Sequence, residues 1–339
     1  MNKLILISLS IFLLQGCFLK ENPISSSMKD DSFLDEILKN KENHELQIIY
    51  TEIKRDKEGE PDFIDFEFQV DENNYFYPAS SIKLPIVILT LDKINELRSE
   101  GINVSLKSKI TLSPLDQEMS LTQKDSITSF QNLIADIFLV SDNSASNVLI
   151  DFVGYNHFNN KMNQAGFNKT YLNHKFSPDP YYTIDWEIKT MLNDRISSNE
   201  DRDIVTADDN TLGLKKGEKK FKDGIVEFGS LDFSQKNRSS IMDMHNIIKR
   251  IIFPSKFDDD NAFNLNVEDY DFLRYWMSRF TYEDLGNKFT TDKKYFESYN
   301  KFFIHGVDTV VTNKNIRVYN KIGQAYGTSV DNAYIRNYQ

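Results

Sequence analysis

The sequence predicts an α+β fold. Segments near both ends of the chain alternate apolar and polar residues, which is typical of half-buried strands. The segments between them carry apolar residues at helical spacing. The chain has 339 residues, of which 40% are apolar and 27% are charged, and this is enough for a substantial hydrophobic core.

The first seventeen residues have the composition of an export signal. Lys3 supplies a positive charge, an apolar stretch follows over residues 4–14, and Gly16 precedes Cys17. The apolar stretch is too short to span a bilayer. The run LQGC at residues 14–17 resembles a bacterial lipobox, whose cysteine becomes the lipidated N-terminus after cleavage. We favour this interpretation over an ordinary secretory signal, and expect an exported lipoprotein that faces the periplasm or the cell surface.

Cysteine usage, charge and histidine spacing exclude several functions. Cys17 is the only cysteine, so a disulfide framework is excluded in the mature protein. The formal net charge of −11 argues against a nucleic-acid partner. No histidine pair has metal-ligand spacing, and neither G-x-x-x-x-G-K nor G-x-G-x-x-G occurs. We therefore predict no metal site and no cofactor.

The mature chain begins with a polar segment and a hairpin. Residues 18–44 open with a serine-rich stretch and are predicted to be a flexible tether. The stretches LQIIYTEIKRD and DFIDFEFQVDE then alternate apolar and polar residues around a charged turn that contains Gly59 and Pro61. This pattern predicts a β-hairpin at the start of a domain over residues 45–339.

The remaining helices and strands are predicted from the periodicity of apolar residues and from the turn residues between them. ITSFQNLIADIFLVSDNSASNVLIDFVG predicts two helices that separate at Ser141-Asp142-Asn143. HNIIKRIIFP and VEDYDFLRYWMSRF show apolar residues at helical spacing. Residues 193–224 are charge-dense and are predicted to be a surface insertion. IRVYNKIGQAYGTSVDNAYIRNYQ predicts two strands around a glycine-containing turn.

The stretch FYPASSIKLP places a serine and a lysine at the start of an apolar helix. The pattern Ser-x-x-Lys also begins at Ser26, in the tether, and at Ser298, in a charged and tyrosine-rich stretch without reactive features. Only Ser80 stands where a helix begins, with Lys83 on the same face. A desolvated Lys83 has a lowered pKa and can take the proton of Ser80. The alternative is an N-cap serine beside a lysine that extends to solvent.

Two further motifs follow in order. Ser141-Asp142-Asn143 begins 61 residues after Ser80 (141 − 80), and Lys321-Ile322-Gly323 begins another 180 residues on (321 − 141). Together the three motifs resemble those of the penicillin-recognising serine enzymes, the class A β-lactamases and penicillin-binding proteins, whose signatures are S-x-x-K, S-D-N and K-T-G. The resemblance covers residues 45–335. It implies a β-lactamase/transpeptidase-like fold, in which an antiparallel sheet carries a helical subdomain.

The resemblance implies a role for each matched residue. Ser80 would be the acylated nucleophile and Lys83 its base or proton relay. Ser141 would pass a proton to the leaving nitrogen, and Asn143 would hold the amide side chain of the substrate. Asp142 would brace the turn.

The third motif and the residue after it would bind the substrate. Lys321 would supply positive charge near the substrate carboxylate, and Gly323 would let the substrate lie against the strand edge. The backbone N–H groups of Ser80 and Gln324 would form the oxyanion hole.

Three departures from the family pattern concern turnover and completeness. Ile322 stands where the family has threonine, and losing a hydroxyl hydrogen bond costs about 1–3 kcal/mol. Class A β-lactamases carry a glutamate on the loop after S-D-N that activates the deacylating water. Here Lys175, Phe176 or Ser177 takes that place, and the one acid between Gly166 and Pro180 is Asp179. Relatives normally continue through another strand and a closing helix beyond the K-I-G strand, so we expect this C-terminal strand and helix to be missing.

The sequence therefore predicts an active-site serine hydrolase. Its substrates would be β-lactams or the D-alanyl peptides of peptidoglycan stems, and its turnover would be slow without the loop glutamate. The absence of G-x-S-x-G leaves an α/β-hydrolase without support. The alternative function is a non-catalytic lipoprotein that retains the pocket and binds peptidoglycan.

Overall fold

The computed structural model describes most of the chain. The described residues are 22–28, 32–115, 125–176, 184–198, 205–206, 213–222, 224–257, 263–284, 286, 288–290, 292–305 and 309–339. The chain divides into two compact units, residues 1–70 and 71–339. The predicted export signal, with Cys17, lies outside the described residues. Within them, no helix combines the length and the apolar character needed to cross a membrane.

The first unit contains short helices and one hairpin: α1 (Pro23–Met28), α2 (Ser32–Lys39), α3 (Lys41–His44), β1 (Ile48–Arg55) and β2 (Pro61–Phe68). Strands β1 and β2 pair antiparallel with Tyr50 opposite Phe66. The two rings stack with their centroids 6.0 Å apart, which stabilises the pair across the strands. The predicted hairpin is confirmed.

The described part of the segment predicted to be a flexible tether contains short helices. The side chain of Asn22 accepts a hydrogen bond from the N–H of Ile24 at 3.0 Å, and Pro23 takes the first helical position. Ile24 and Met28 are buried on the inner face of α1. The polar composition of this segment concealed the helices, because only a few apolar side chains are needed to fix such short elements.

The second unit contains the longer helices α4 (Lys83–Ser99), α5 (Phe130–Val140), α6 (Asn143–Val153), α7 (Tyr155–Gln164), α8 (Ile241–Ile252) and α9 (Val267–Met277), and the short α10 (Phe302–His305). Its strands are β3 (Lys109–Pro114), β4 (Ser126–Ser129), β5 (Trp186–Thr190), β6 (Lys215–Lys216), β7 (Lys219–Lys222), β8 (Ile225–Phe228), β9 (Leu231–Asp232), β10 (Ile316–Ala325) and β11 (Thr328–Asn337). The pairings among the described strands are all antiparallel. The α+β class with antiparallel sheets is confirmed.

Helix α4 forms the centre of the second unit. Its residues from Lys83 to Asp92 are all buried, whichever side of the helix they face. A helix that is apolar on every side lies in a core. Helix α4 packs against α6, and the first turn of α4 therefore holds Lys83 in the protein interior.

The break between α5 and α6 directs the second motif. Helix α5 ends where Ser141 adopts a left-handed conformation with φ of 58°. The carboxylate of Asp142 then caps α6 by accepting the N–H of Ala145 at 2.8 Å. The predicted break at this position is confirmed.

Strands β10 and β11 form the C-terminal hairpin predicted from the sequence. Tyr326 and Gly327 form its two-residue turn, with φ of 51° and 82°. Positive φ at both turn residues is the type I′ geometry, which matches the twist of the flanking strands. Lys321 lies on β10, so the strand predicted for the third motif is confirmed.

The structure describes residues 193–198, 205–206, 213–222 and 224 of the predicted insertion. Leu214 is fully buried in a cluster with Tyr77 and Phe233, so this segment is anchored near the start of α4. Beyond it, strands β7 and β8 form a hairpin that exposes Phe221 and Phe228. The predicted insertion thus combines one buried anchor with an exposed hairpin.

Candidate active site

Ser80 lies in a tight turn that leads into α4. Residues Ala79–Ile82 form a 3-10 turn, and α4 continues directly from it at Lys83. Ala79 has a φ of 48°, and the left-handed conformation costs a non-glycine residue about 1–2 kcal/mol. Ser80 is partly exposed, whereas Ser81 is buried and donates its hydroxyl to the carbonyl of Pro78. Of the two serines, Ser80 is the one that a ligand can reach.

Lys83 is fully buried and is surrounded by acceptors of the second motif. Its Nζ donates to the carbonyl oxygen of Ser141 at 2.7 Å and to Oδ1 of Asn143 at 2.6 Å. Burial lowers the pKa of Lys83 well below 10.5, the nearby Lys321 lowers it further, and Asp142 opposes the shift. This environment favours the neutral amine that a general base requires.

Two lysines meet at the hydroxyl of Ser141. Nζ of Lys321 donates to Oγ of Ser141 at 2.8 Å and to the carbonyl of Ile322 at 2.9 Å. Nζ of Lys83 lies 3.5 Å from the same Oγ. Burial lowers the pKa of Lys321 to about 7, and Asp331 opposes the shift. Two ammonium groups at one hydroxyl repel each other, so the site disfavours the state in which both are charged.

The remaining positions of the first two motifs differ in their surroundings. Asn143 stays exposed although its Oδ1 accepts from Lys83. The carboxylate of Asp142 is engaged at the start of α6, as the bracing role predicted for it requires. In the part of the chain that the structure describes, the Ser80 hydroxyl is not among the acceptors of Lys83. Ser80 lies in the 3-10 turn and Lys83 opens α4, and residues three apart lie on the same side of either kind of helix.

Gly323 allows β10 to approach the turn that carries Ser80. A Cβ at this position would lie 2.5 Å from the carbonyl oxygen of Pro78, 2.8 Å from the N of Ser81 and 3.0 Å from the N of Ser80. Because the neighbours are backbone atoms, they could not move aside without shifting the turn. Contact with a substrate, the role predicted for Gly323, stays a prediction.

The N–H of Gln324 points toward the same turn. In a hairpin with a two-residue turn, the flanking pair, here Ala325 and Thr328, exchanges the hydrogen bonds. The next pair, Gln324 and Ser329, is then non-hydrogen-bonded, because the two kinds alternate. The N–H of Gln324 is therefore directed away from β11, on the edge that packs against the turn of Ser80. This geometry suits the oxyanion hole predicted from the sequence.

Phe176 faces the lysine of the first motif. The Nδ2 of Asn147 donates to the carbonyl of Phe176 at 2.7 Å, and the N–H of Phe176 donates to Oδ1 of Asn147 at 2.8 Å. The centre of the Phe176 ring lies 4.6 Å from Nζ of Lys83. Neither Asn147 nor the ring contact was predicted from the sequence, because an asparagine inside a helix gives no signal of its distant partner.

Lys175, the preceding residue, turns away from the site. Its buried Nζ donates to Oδ2 of Asp151 at 2.8 Å and to Oδ1 of Asp185 at 2.5 Å. Of the two candidates that the structure describes, Lys175 and Phe176, the one that contacts Lys83 is therefore Phe176. Ser177 and Asp179 lie outside the described residues.

One group among the described residues has the composition of a metal site. Asp92, Glu96 and His157 bring their ligand atoms within 4.8 Å of one another. Nζ of Lys161 donates to Asp92 at 2.9 Å and to Glu96 at 2.5 Å. The ammonium of Lys161 supplies the positive charge between these carboxylates, so the group is an ion-pair network.

Comparisons with solved structures return β-lactamases of low sequence identity. The β-lactamase of Sphaerobacter thermophilus is 15% identical with a TM-score of 0.42, and the match covers 85% of this chain and 77% of that chain. A class A β-lactamase of Bacteroides cellulosilyticus is 13% identical with a TM-score of 0.45, covering 85% and 78%. A β-lactamase of Chitinophaga pinensis is 13% identical with a TM-score of 0.45, covering 89% and 85%. No curated protein matches the chain.

The family comparison covers nearly the whole chain. The model of the beta-lactamase enzyme family matches residues 31–339. This span contains all three sequence motifs, which begin at Ser80, Ser141 and Lys321. The chain belongs to the beta-lactamase enzyme family.

Proposed function

We propose that this protein is an active-site serine hydrolase that forms an acyl-enzyme at Ser80. Its acyl donors would be β-lactams or the D-alanyl peptides of peptidoglycan stems. The observation that carries the proposal is the convergence of Lys83 and Lys321 on the Ser141 hydroxyl, at 3.5 and 2.8 Å, beside the turn of Ser80. Burying two lysines at one hydroxyl is costly, and packing alone would not favour it.

Acylation proceeds by nucleophilic attack. Neutral Lys83 takes the proton of the Ser80 hydroxyl while Oγ bonds to the carbonyl carbon of the substrate amide. The N–H groups of Ser80 and Gln324 stabilise the resulting oxyanion. The carbon–nitrogen bond then breaks, and the proton held by Lys83 passes through the Ser141 hydroxyl to the leaving nitrogen. Lys321 donates to Ser141 Oγ, which leaves the O–H of Ser141 to face the substrate.

Deacylation is expected to be slow. Hydrolysis of the ester needs a base that activates water, which the class A enzymes supply with a glutamate. Here the ring of Phe176 faces Lys83 at 4.6 Å in place of a carboxylate. The acyl-enzyme would therefore persist, which favours an activity closer to that of a penicillin-binding protein than to that of an efficient β-lactamase.

A fluorescent penicillin tests the proposal. The soluble form, without residues 1–17, would be labelled, and its intact mass followed over time. Ser80→Ala should abolish the adduct, whereas Ser81→Ala, at the buried neighbour, should retain it. A stable adduct at Ser80 would support the penicillin-binding activity, and a transient one with released product would support β-lactamase activity.

No adduct in the folded wild type, at any penicillin concentration, would contradict the proposal. That result would favour the non-catalytic binding of peptidoglycan. Binding of a D-alanyl peptide without chemical change, measured by calorimetry on the same sample, would identify that function directly.

We also propose that the protein is exported and anchored to a membrane through lipid on Cys17. The lipobox-like run LQGC supports this. A fatty-acid analogue carrying an alkyne should label the wild type in cells and leave Cys17→Ser unlabelled. Equal labelling of both chains, or of neither, would contradict the anchor.

A further inference from the structure

A buried lysine that the proposed mechanism does not use lies behind strand β10. Lys301 is 1% exposed and belongs to the third Ser-x-x-Lys pattern of the chain, which begins at Ser298. Its Nζ donates to the carbonyl of Met277 at 2.6 Å and to Oδ1 of Asn320 at 2.6 Å. A buried ammonium without a counter-charge is costly, so the charges around Lys301 require explanation.

Asn320 connects Lys301 to a carboxylate. Its Nδ2 donates to Oδ1 of Asp331 at 2.7 Å and to the carbonyl of Asn300 at 3.0 Å. The amide oxygen thus faces a cation and the amide nitrogen faces an anion. Lys301, Asn320 and Asp331 therefore form a hydrogen-bonded network in which the Asn320 amide links the lysine to the carboxylate.

This network lies on the other side of β10 from the Lys321 side chain. Asp331 stands opposite Ile322 in the register of β10 and β11, so its side chain shares a face with Ile322 and Asn320. Lys321 is next to Asn320 and projects from the other face, where it reaches Ser141. One strand of backbone separates the buried pair from Lys321.

The charges around the two lysines are defined. The charged groups that interact with Lys321 through electrostatics are Asp331, Lys301 and Lys83. Lys301 faces Asp331 and Lys321, together with Glu283 and Arg317, which neutralise each other as an ion pair at 2.8 Å.

The two lysines respond to burial in the same way. Burial lowers the pKa of Lys301 to about 7, Asp331 opposes the shift and Lys321 adds to it. Burial also lowers the pKa of Lys321 to about 7. Burial raises the pKa of Asp331, and the hydrogen bond from Asn320 and the charge of Lys301 oppose this shift. In its ionised form, Asp331 is a counter-charge that both lysines share.

We propose that Lys301 and Asp331 are positioning residues that set the protonation of Lys321 from behind β10. Asp331 holds the proton on Lys321, and the charge of Lys301 opposes it. The consequence for catalysis rests on the proposed function, because protonated Lys321 is the form that orients Ser141 and attracts the substrate carboxylate. The electrostatic part concerns the folded protein and does not depend on turnover.

Two substitutions should act in opposite directions. Asp331→Asn removes the negative charge and should lower the titration midpoint of Lys321 by about one pH unit. Lys301→Met removes the positive charge and should raise the midpoint. Lys288→Met, which breaks the exposed ion pair of Lys288 with Asp136 at 2.6 Å, is the matched control and should leave the midpoint unchanged. A role confined to packing gives no such pair of opposite signs.

The direct measurement is an NMR titration of protein labelled with ¹³Cε-lysine, with the Lys321 resonance assigned from Lys321→Arg. Opposite shifts in Asp331→Asn and Lys301→Met would support the proposal. Shifts of the same sign, or none in folded variants, would overturn it. Should Lys301→Met fail to fold, the wild type still decides. Its Lys321 resonance should show two inflections, because Lys301 titrates in the same range, and a single inflection would overturn the coupling.

The pH dependence of penicillin labelling separates this inference from the proposed function. The alkaline limb of the labelling rate should move to lower pH in Asp331→Asn and to higher pH in Lys301→Met. Failure of the wild type to react with penicillin would contradict the proposed function. The NMR titration would still test the coupling of Lys321 to Lys301 and Asp331. If the variants react with penicillin and the alkaline limb of the rate stays at the same pH, the proposed function is supported and the role of Lys301 and Asp331 is overturned.

Discussion

The Phe176 ring lies 4.6 Å from Nζ of Lys83, and Phe176 is one of the three sequence positions predicted for the loop glutamate. Asn147 fixes the backbone from which this ring projects through two hydrogen bonds to Phe176. An aromatic ring has no basic group that could accept a proton from water. Under the proposed function, Phe176 therefore supplies no base for hydrolysis of the acyl-enzyme.

Phe176→Glu should shorten the lifetime of the acyl-enzyme. A carboxylate beside Lys83 would supply a base for the deacylating water, and general-base catalysis contributes about 10²–10⁴-fold when well placed. We expect at least about tenfold faster loss of a fluorescent penicillin adduct. Phe176→Gln has the same size without the base and should keep the slow rate. Equal lifetimes in the two variants would contradict this role for the position.

Gly323→Ala should destabilise the protein and slow acylation. The added methyl group would lie 2.5 Å from the carbonyl oxygen of Pro78, and backbone cannot rotate away as a side chain can. We expect a loss of about 1–3 kcal/mol in the free energy of unfolding, measured in urea. Gly286→Ala, where nothing lies within 4 Å of the new Cβ, should leave both quantities nearly unchanged. A loss of similar size in both variants would rule out the close approach as the cause.

The free energy of unfolding should rise with pH above neutrality, in part because of Lys301. Its pKa is about 7 in the folded protein, against an ordinary 10.5, so between these values the unfolded chain holds a proton that the folded chain has released. Stability then increases with pH, by up to about 1.4 kcal/mol per pH unit for one lysine. Lys301→Met should show a smaller slope in urea unfolding at pH 7, 8 and 9. The exposed control Lys288→Met should keep the slope of the wild type, and an unchanged slope in Lys301→Met would show that Lys301 is not neutralised on folding.

Much of the local structure could be predicted from the sequence. The break at Ser141, the helix that begins after Ser80 and the strand that carries Lys321 all follow from patterns that extend over a few residues. The order of the three motifs also predicts the family, which the family comparison confirms. These features are local, since capping, periodicity and turn residues act within one or two turns of chain.

The partners of the site residues could not be predicted, because they come from distant parts of the chain. Lys321 meets Ser141 across 180 residues, and Phe176 reaches Lys83 only because Asn147 on another helix fixes its backbone. The full burial of Lys301 could not be predicted either, because charged and tyrosine-rich residues surround it in the sequence.

The sequence by itself determined which side chains can carry the chemistry and which elements hold them. Only the tertiary structure decided where those side chains point and what faces them. The physical reason is that the protonation of Lys83 and Lys321 depends on burial and on neighbouring charges, and packing between distant elements sets both.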